Sequence, residues 1–346
     1  MSYILVTALL YATIIAYMQV ARRLRIFDCP NDRSSHHYLA IRGGGILFFV
    51  AGLVHSLEHL EIHGKIAFLT GLFIIAAVSF IDDTRGVPTL WRLLVHFIAV
   101  SFAFYGVGLF EVAPLWMVIL AYLILGGVAN AFNFMDGING MTGLYSLVVL
   151  AVLQWINLRH VAFVVHPDFI WYAMIACVVF LTFNFRTRAK CFAGDVGSMS
   201  IAFWIIFLVL KLMMQTGSPV WLALLAVYGV DTIATILHRL YLRQNIFKAH
   251  RLHFFQVLTN EQQWSHLWVS LLYAGLQLGV SMAALSLWTI FPWWAVGFIT
   301  VTPLAMLYCL KFWLMSPATG KQEAATEPVL SPGRPGAAPA DCALQK

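Results

Sequence analysis

Five polar segments interrupt an otherwise apolar chain of 346 residues, and each carries residue types that bind phosphate or a hard cation. In FIDDTRG, Asp82 and Asp83 stand side by side where an apolar run ends. Adjacent carboxylates repel each other, and at a helix C-terminus they face the negative end of its dipole. A cation beside them would make the pair favourable: a metal, an arginine or protons. The plainer alternative is a solvated helix end neutralised by Arg85. In NAFNFMDGINGMTG, residues 130–143, Asn130, Asn133, Asp136 and Asn139 supply polar oxygens at short spacing. Gly137, Gly140 and Gly143 there permit tight turns and close approach to a ligand. An ordinary Asn/Gly turn would use the same residues. In CFAGDVGSMS, residues 191–200, Gly194, Asp195, Gly197 and Ser198 precede another apolar run. A helix N-terminus can hold phosphate through its backbone N–H groups, and Asp195 can bind a cation that bridges to phosphate or simply cap the helix.

Two further segments are basic. Lys248, His250, Arg251 and His253 in KAHRLHFFQ form a cluster of donors suited to phosphate or to acid–base work. The third ligand that zinc would need is missing nearby, and topological charge is the plain alternative. DCPNDRSSHHYLAIRGGG offers Arg33, Ser34, His36 or His37, Arg42 and the run Gly43–Gly45, again suited to phosphate, unless the glycines are only a flexible lead into a helix. Mg²⁺ is the metal these loops suit: a hard ion held by one or two carboxylates plus substrate phosphates, with several waters retained. Zinc or iron would ask for a Cys/His set. The five cysteines, Cys29, Cys177, Cys191, Cys309 and Cys342, are scattered without a CxxC pair, so neither a zinc site nor a disulfide framework is expected.

The elements that position these segments follow from hydropathy. Hydrophobic residues make up 61% of the chain and charged ones 10%, against about 25% charged in a soluble domain. Such a chain cannot cover a water-facing surface and belongs in a bilayer. Apolar runs near 1–20, 44–60, 66–81, 90–109, 113–130, 141–158, 168–184, 197–215, 218–237, 267–289 and 291–313 predict an all-α polytopic bundle. It has eleven transmembrane helices, or ten, because the second and third runs are short and only Phe291 and Pro292 separate the last two. The first run lacks a basic leading region and a small-residue cleavage site, and reads as a membrane helix.

Orientation comes from the cations. Arg22, Arg23, Arg25, Arg33 and Arg42 follow the first run, Arg186, Arg188 and Lys190 the seventh, and Arg239, Arg243, Lys248 and Arg251 the ninth. The opposite loops hold little beyond Lys65 and Arg159, with Lys211 near a helix end. The positive-inside rule then puts the N-terminus in the periplasm and all five polar segments on the cytoplasmic side. The net charge of +6 is topological first, and no soluble domain is present to serve nucleic acid. Residues 1–315 are expected to form one transmembrane catalytic domain. Residues 316–346, rich in Ala, Pro, Gly and Glu, read as a disordered cytoplasmic tail.

In this order, FIDD, NxxNFMDGxNG, GDVGS and the His-containing basic segment resemble the polyprenyl-phosphate N-acetylhexosamine-1-phosphate transferase family, glycosyltransferase family 4. The resemblance covers about residues 20–315. It implies that Asp82 and Asp83 match the family's paired-Asp motif and that Asn133 and Asp136 match its NxxD motif. Asp195 matches the Mg²⁺-binding Asp, with Asp82 as a second metal contact. Lys248, His250, Arg251 and His253 match the basic loop that handles the sugar nucleotide's phosphates, and Arg42 and Gly194 are expected to touch substrate. The form AHRxH looks less like the peptidoglycan enzyme than like the subgroup that starts O-antigen or exopolysaccharide units. Asn139 stands where that subgroup often has an acidic residue.

What the resemblance implies is a reaction at the cytoplasmic face of the bacterial inner membrane. A UDP-N-acetylhexosamine would give its sugar 1-phosphate to undecaprenyl phosphate, with Mg²⁺, replaceable by Mn²⁺, on its pyrophosphate. Undecaprenyl-diphosphate sugar and UMP would result. One Asp of the 82/83 pair would deprotonate the lipid phosphate, with Asp136 and His253 as further catalytic candidates. Direct attack is favoured, and prior attack by an Asp stays open. A homodimer fits the resemblance. The main rival is an ion-coupled transporter, whose sites lie near the bilayer midplane; the acidic residues here sit at helix ends. A prenyltransferase would need two spaced Asp-rich motifs that Asp82, Asp83 and Asp136 do not reproduce.

Overall fold

The computed structural model describes residues 1–30, 35–36, 38–59, 64–245 and 251–315. The expected tail, 316–346, lies outside the described residues, as do Arg33, Ser34, His37, Lys248 and His250. Each of the eleven apolar runs forms a helix. In chain order these are α1 (Tyr3–Arg23), α2 (Ile46–Glu58), α3 (Lys65–Arg85) and α4 (Thr89–Val107), then a four-residue turn α5 (Leu109–Val112) and α6 (Leu115–Met135). There follow α7 (Met141–Arg159), α8 (Asp168–Asn184), α9 (Gly194–Thr216), and a 3-10 stretch Pro219–Leu225 running into α10 (Ala226–Tyr241). A short α11 (Phe254–Gln256) with the π-turn Val257–Glu261 precedes α12 (His266–Leu287) and α13 (Trp293–Leu314).

Nine of the described helical segments are long and apolar enough to cross a bilayer, two fewer than the upper expectation. The shortfall lies in α2, with 13 residues, and α8, with 17. At 1.5 Å per residue, α2 reaches only about 20 Å of a hydrocarbon core about 30 Å thick. It starts late because Gly43–Gly45 do not extend it. They dock on the start of α9 instead, with Gly44 N–H donating to Phe192 O at 2.8 Å and Gly45 N–H to Ala193 O at 3.0 Å. A Cβ on Gly45 would stand 2.3 Å from the Gly197 Cα, so the two backbones touch only because both are glycine. The glycine run is thus a packing surface, not a flexible lead.

α9 is the centre of the bundle. Every residue from Val196 to Leu210 is buried, as suits a helix apolar on all sides. α2, α3, α4, α6 and α7 pack around it. The outer helices turn apolar side chains outward, and exposed tryptophans stand near helix ends: Trp91, Trp116, Trp268, Trp293 and Trp313. That is the arrangement of an aromatic belt at a bilayer interface. One buried polar side chain ties three elements together. Gln277 of α12 accepts from Tyr145 Oη at 2.7 Å and from Val227 N–H at 3.1 Å, and donates to Ala223 O at 3.0 Å. It thereby satisfies backbone groups where the 3-10 stretch breaks into α10.

The two ends of the bundle differ. At one, the N-terminal ammonium meets Glu58 at 3.1 Å and Tyr3 bonds Asp168. At the other, β1 (Phe27–Asp28) pairs antiparallel with β2 (Ala40–Ile41), and Ile41 bridges to Cys191 just before α9. Cys177, Cys191 and Cys309 are free thiols.

Candidate active site

Three helix ends and the small β-ribbon meet at one end of the bundle. α3 brings Asp82 and Asp83 on its last turn, α6 ends into Asp136, α9 opens with Asp195, and the ribbon carries Asp28 and Arg42. The paired aspartates do different things. Asp83 is almost completely buried and accepts the backbone N–H groups of Asp195, at 2.9 Å, and Val196, at 3.0 Å. It also takes Arg42 Nε at 2.7 Å. It therefore caps α9, whose unpaired N–H groups and dipole favour an anion. Gly194, with φ of +69°, makes the room: a Cβ there would stand 2.6 Å from Asp83 Oδ2. The expectation that this helix N-terminus holds phosphate through N–H groups is corrected, because a carboxylate of the same chain takes those of residues 195 and 196.

Asp82 accepts from Arg92 Nη1 at 2.6 Å and from Val87 N–H at 2.7 Å. The same Arg92 nitrogen lies 3.7 Å from Asp195 Oδ2, and Arg42 Nη2 lies 3.4 Å from Asp195 Oδ1. Arg42 also reaches Asp28 at 4.0 Å. Two guanidinium groups thus thread a ring of four carboxylates and offset half of its charge, and each of Asp82 and Asp83 has an arginine beside it. Burial opposes the Arg42 charge, but Asp83, Asp195 and Asp28 outweigh it and push its pKa above the ordinary arginine value. Asp136 is half-buried beside this ring, and its Oδ1 accepts Thr142 Oγ1–H at 2.6 Å. Burial raises its pKa to about 7; the Thr142 bond opposes the shift, and the charges of Asp195 and Asp83 add to it.

These groups border a cavity of about 280 Å³, whose lining includes Asp28, Arg42, Asn133, Asp136, Asp195 and Gln256. Gly194 also lines it, and the rings of His36 and Phe192 pack there tilted by 60° with centroids 4.6 Å apart. Asn133 donates to Ser198 Oγ at 3.3 Å and so ties α6 to α9 at the cavity floor. Asn139 is buried, donating to Tyr38 Oη at 2.9 Å and Arg186 O at 2.6 Å. An amide suits that place, because a carboxylate could not donate to the carbonyl.

Asp82, Asp83, Asp195, Arg42, Asn133, Asp136 and Gly194 thus come together. His253 belongs to a second cluster, buried against Asp231 of α10 with Nδ1 3.1 Å from Oδ1. Arg251 is half-buried where the described chain resumes; Lys248 and His250 lie outside the described residues. Sequence reasoning passed over Arg92 and Asp231. Each was visible as a charged residue inside an apolar run, which is costly unless it has work to do. Among the described residues no group of three His, Cys, Asp or Glu is arranged to hold a metal. Asp82 and Asp195, sharing one Arg92 nitrogen, nevertheless offer two hard oxygen donors. That fits an ion which takes one or two carboxylates and completes its shell from phosphates and water.

Residues 65–213 match a family described as glycosyl transferase family 4, a stretch running from the start of α3 through most of α9. A phospho-N-acetylmuramoyl-pentapeptide-transferase of Thermotoga neapolitana is 27% identical over 240 residues, 64% of this chain and 76% of that protein. A probable undecaprenyl-phosphate N-acetylglucosaminyl 1-phosphate transferase of Bacillus subtilis is 26% identical over 268 residues, 72% of this chain and 73% of that one. An undecaprenyl-phosphate alpha-N-acetylglucosaminyl 1-phosphate transferase of Escherichia coli K12 is 25% identical over 291 residues, 72% of this chain and 74% of its relative.

Proposed function

From the match of residues 65–213 to glycosyl transferase family 4 and the geometry of the site, we propose that the chain transfers an N-acetylhexosamine 1-phosphate from a UDP-sugar to undecaprenyl phosphate. The products are undecaprenyl-diphosphate sugar and UMP, and the reaction starts a lipid-linked glycan such as O-antigen at the cytoplasmic face of the bacterial inner membrane. Relatives named for transfer to undecaprenyl phosphate support the acceptor. The observation that carries the reading is the ring of Asp82, Asp83 and Asp195 threaded by Arg42 and Arg92 beside a polar cavity.

Phosphoryl transfer asks the protein mainly for positioning and charge. An oxygen of the lipid phosphate forms a bond to the phosphorus that carries the sugar. The bond from that phosphorus to the bridging oxygen breaks, and UMP leaves with the electron pair. Arg42 and Arg92 are the donors that meet the phosphate oxygens. Asp136, with its carboxyl titrating near 7, takes the acceptor's proton, a better base than Asp82 or Asp83, which are tied to arginines. Asp195 and Asp82 would hold Mg²⁺, which when bound supplies Lewis-acid stabilisation of the phosphates.

The test uses purified protein in detergent with undecaprenyl phosphate, Mg²⁺ and a panel of UDP-N-acetylhexosamines, scoring UMP. Release that needs both lipid and Mg²⁺, stops with EDTA and returns with Mn²⁺ is the expected result. A folded protein that binds no uridine nucleotide would overturn the reading.

A further inference from the structure

Four side-chain amides line the polar cavity, and three of them spend their NH2 groups on the protein itself. Asn133 donates to Ser198 Oγ, and Asn139 to Tyr38 Oη and the backbone oxygens of Arg186 and Thr187. Asn184 accepts Gly140 N–H at 2.7 Å and donates to Cys191 O at 2.9 Å. Gln256 differs. It closes the short α11, and its Oε1 accepts the N–H of the N-cap residue His253 at 3.2 Å. That bond fixes the sense of the amide, because only the oxygen can face a backbone donor. Nε2 is thereby turned elsewhere, and it donates to none of the described residues. Gln256 is half-buried at the cavity wall. A donor whose direction is set before a ligand arrives loses little freedom on binding it.

Charge and position narrow the acceptor. Phosphate oxygens have Arg42 and Arg92 to meet them, whereas the Gln256 amide is neutral and suits a neutral oxygen. Phe255 lies against Gly137: a Cβ on that glycine would stand 2.9 Å from the Phe255 ring. Gln256 and Asp136 therefore flank one contact, and both line the cavity. In the reaction proposed above Asp136 takes the acceptor's proton, so a group held beside it lies close to the reacting phosphorus. In a UDP-N-acetylhexosamine that neighbour is the sugar, with its acetamido group on the carbon next to the anomeric one. The uracil lies beyond a second phosphate and a ribose. We propose that Gln256 is a specificity-determining residue whose Nε2–H donates to the acetamido carbonyl oxygen of the donor sugar. The inference rests on the reading of the chain as a transferase of N-acetylhexosamine 1-phosphate. A site built to bond one substrate group discriminates against the analogue lacking it.

The probes are UDP-N-acetylglucosamine with UDP-glucose, and UDP-N-acetylgalactosamine with UDP-galactose, since each pair differs only in acetamido against hydroxyl. Titration calorimetry on the full-length protein in detergent with Mg²⁺ gives the dissociation constants. The wild type should prefer the acetamido member of at least one pair. Gln256→Glu keeps an oxygen for the His253 N–H, as capping boxes do, and removes the NH2. It should unfold at the wild-type temperature and lose the preference by about five- to tenfold, the worth of one hydrogen bond between neutral groups. Its added charge acts on both members of a pair alike, so the ratio reports the lost donor. Gln256→Met removes oxygen and NH2 together; it should melt lower and show the same lost preference, so either folded variant decides. A preference that survives in a folded variant, with both members weakened alike, would make Gln256 merely structural and overturn the proposal. A wild type that binds both members of each pair equally would overturn it too. If the wild type binds no UDP-sugar and releases no UMP, the functional reading fails and the inference with it; if UMP is released and only the ratio stands still, the inference alone fails.

Discussion

Among single residues, the two carboxylates with the clearest separate duties are Asp195 and Asp136. Asp195 is held by two arginines but caps nothing, so Asp195→Asn should leave thermal unfolding in place and cut UMP release by at least about 100-fold. Turnover near the wild-type rate would remove it from the chemistry. Asp136 gives a pH signature. Burial raises its pKa to about 7, and only the ionised form accepts a proton, so turnover should climb as pH rises through that value. The Thr142 hydroxyl favours the anion. Thr142→Val therefore raises the pKa and moves the acid limb to higher pH, by up to about one unit. A rate-against-pH series with the limb unmoved would exclude Asp136 as the base. Much of this site was legible in the chain. Residue types and spacing marked Asp82, Asp83, Asn133, Asp136 and Asp195 as a phosphate and cation set. The division of labour was not legible. Nothing in the pair Asp82–Asp83 says that one caps α9 while the other faces Arg92, because that depends on which carboxylate the end of α3 turns toward a helix more than a hundred residues later.

At the level of elements, the geometry of the site depends on how closely the start of α2 approaches α9. A Cβ on Gly197 would stand 2.6 Å from the Gly45 Cα and 2.9 Å from the Ala193 side chain. Backbone cannot swing aside, so Gly197→Ala should destabilise the protein by about 1–3 kcal/mol. It should also lower UMP release, since Asp195 lies two residues away. Gly126→Ala is the control, with nothing within 4 Å of the new methyl and a helix interior that favours alanine. Thermal unfolding in detergent should separate the two; equal melting points would mean that the contact is not tight. The helices themselves were legible because apolar runs bounded by charge leave little choice in a bilayer. What the runs could not give was rank. α9 and α6 look alike in hydropathy, yet α9 is the buried centre and α6 leaves most of its surface outward, a difference made by which helix its neighbours enclose.

For the molecule as a whole, the remaining question is which end faces the cytoplasm. The structure groups Met1, Glu58 and Asp168 at one end. Lys65 opens α3 and Lys211 stands in the later part of α9, toward the ends of these helices away from Asp82 and Asp195. The other end gathers Arg42, Arg92 and the carboxylate ring, with Arg22 and Arg23 in the last turn of α1. Cations retained near membrane ends mark the cytoplasmic side, and a soluble nucleotide sugar can be met only there. The charge pattern and the proposed reaction both call for the N-terminus outside. Single cysteines tested in intact cells with a membrane-impermeant maleimide decide it, with labelling of the parent chain, including exposed Cys309, subtracted. Ser2→Cys and Arg159→Cys should label directly, and Arg188→Cys only after the membrane is opened. The reverse pattern would put the arginine-threaded site in the periplasm, away from any supply of nucleotide sugar, and the proposed reaction would fall with it.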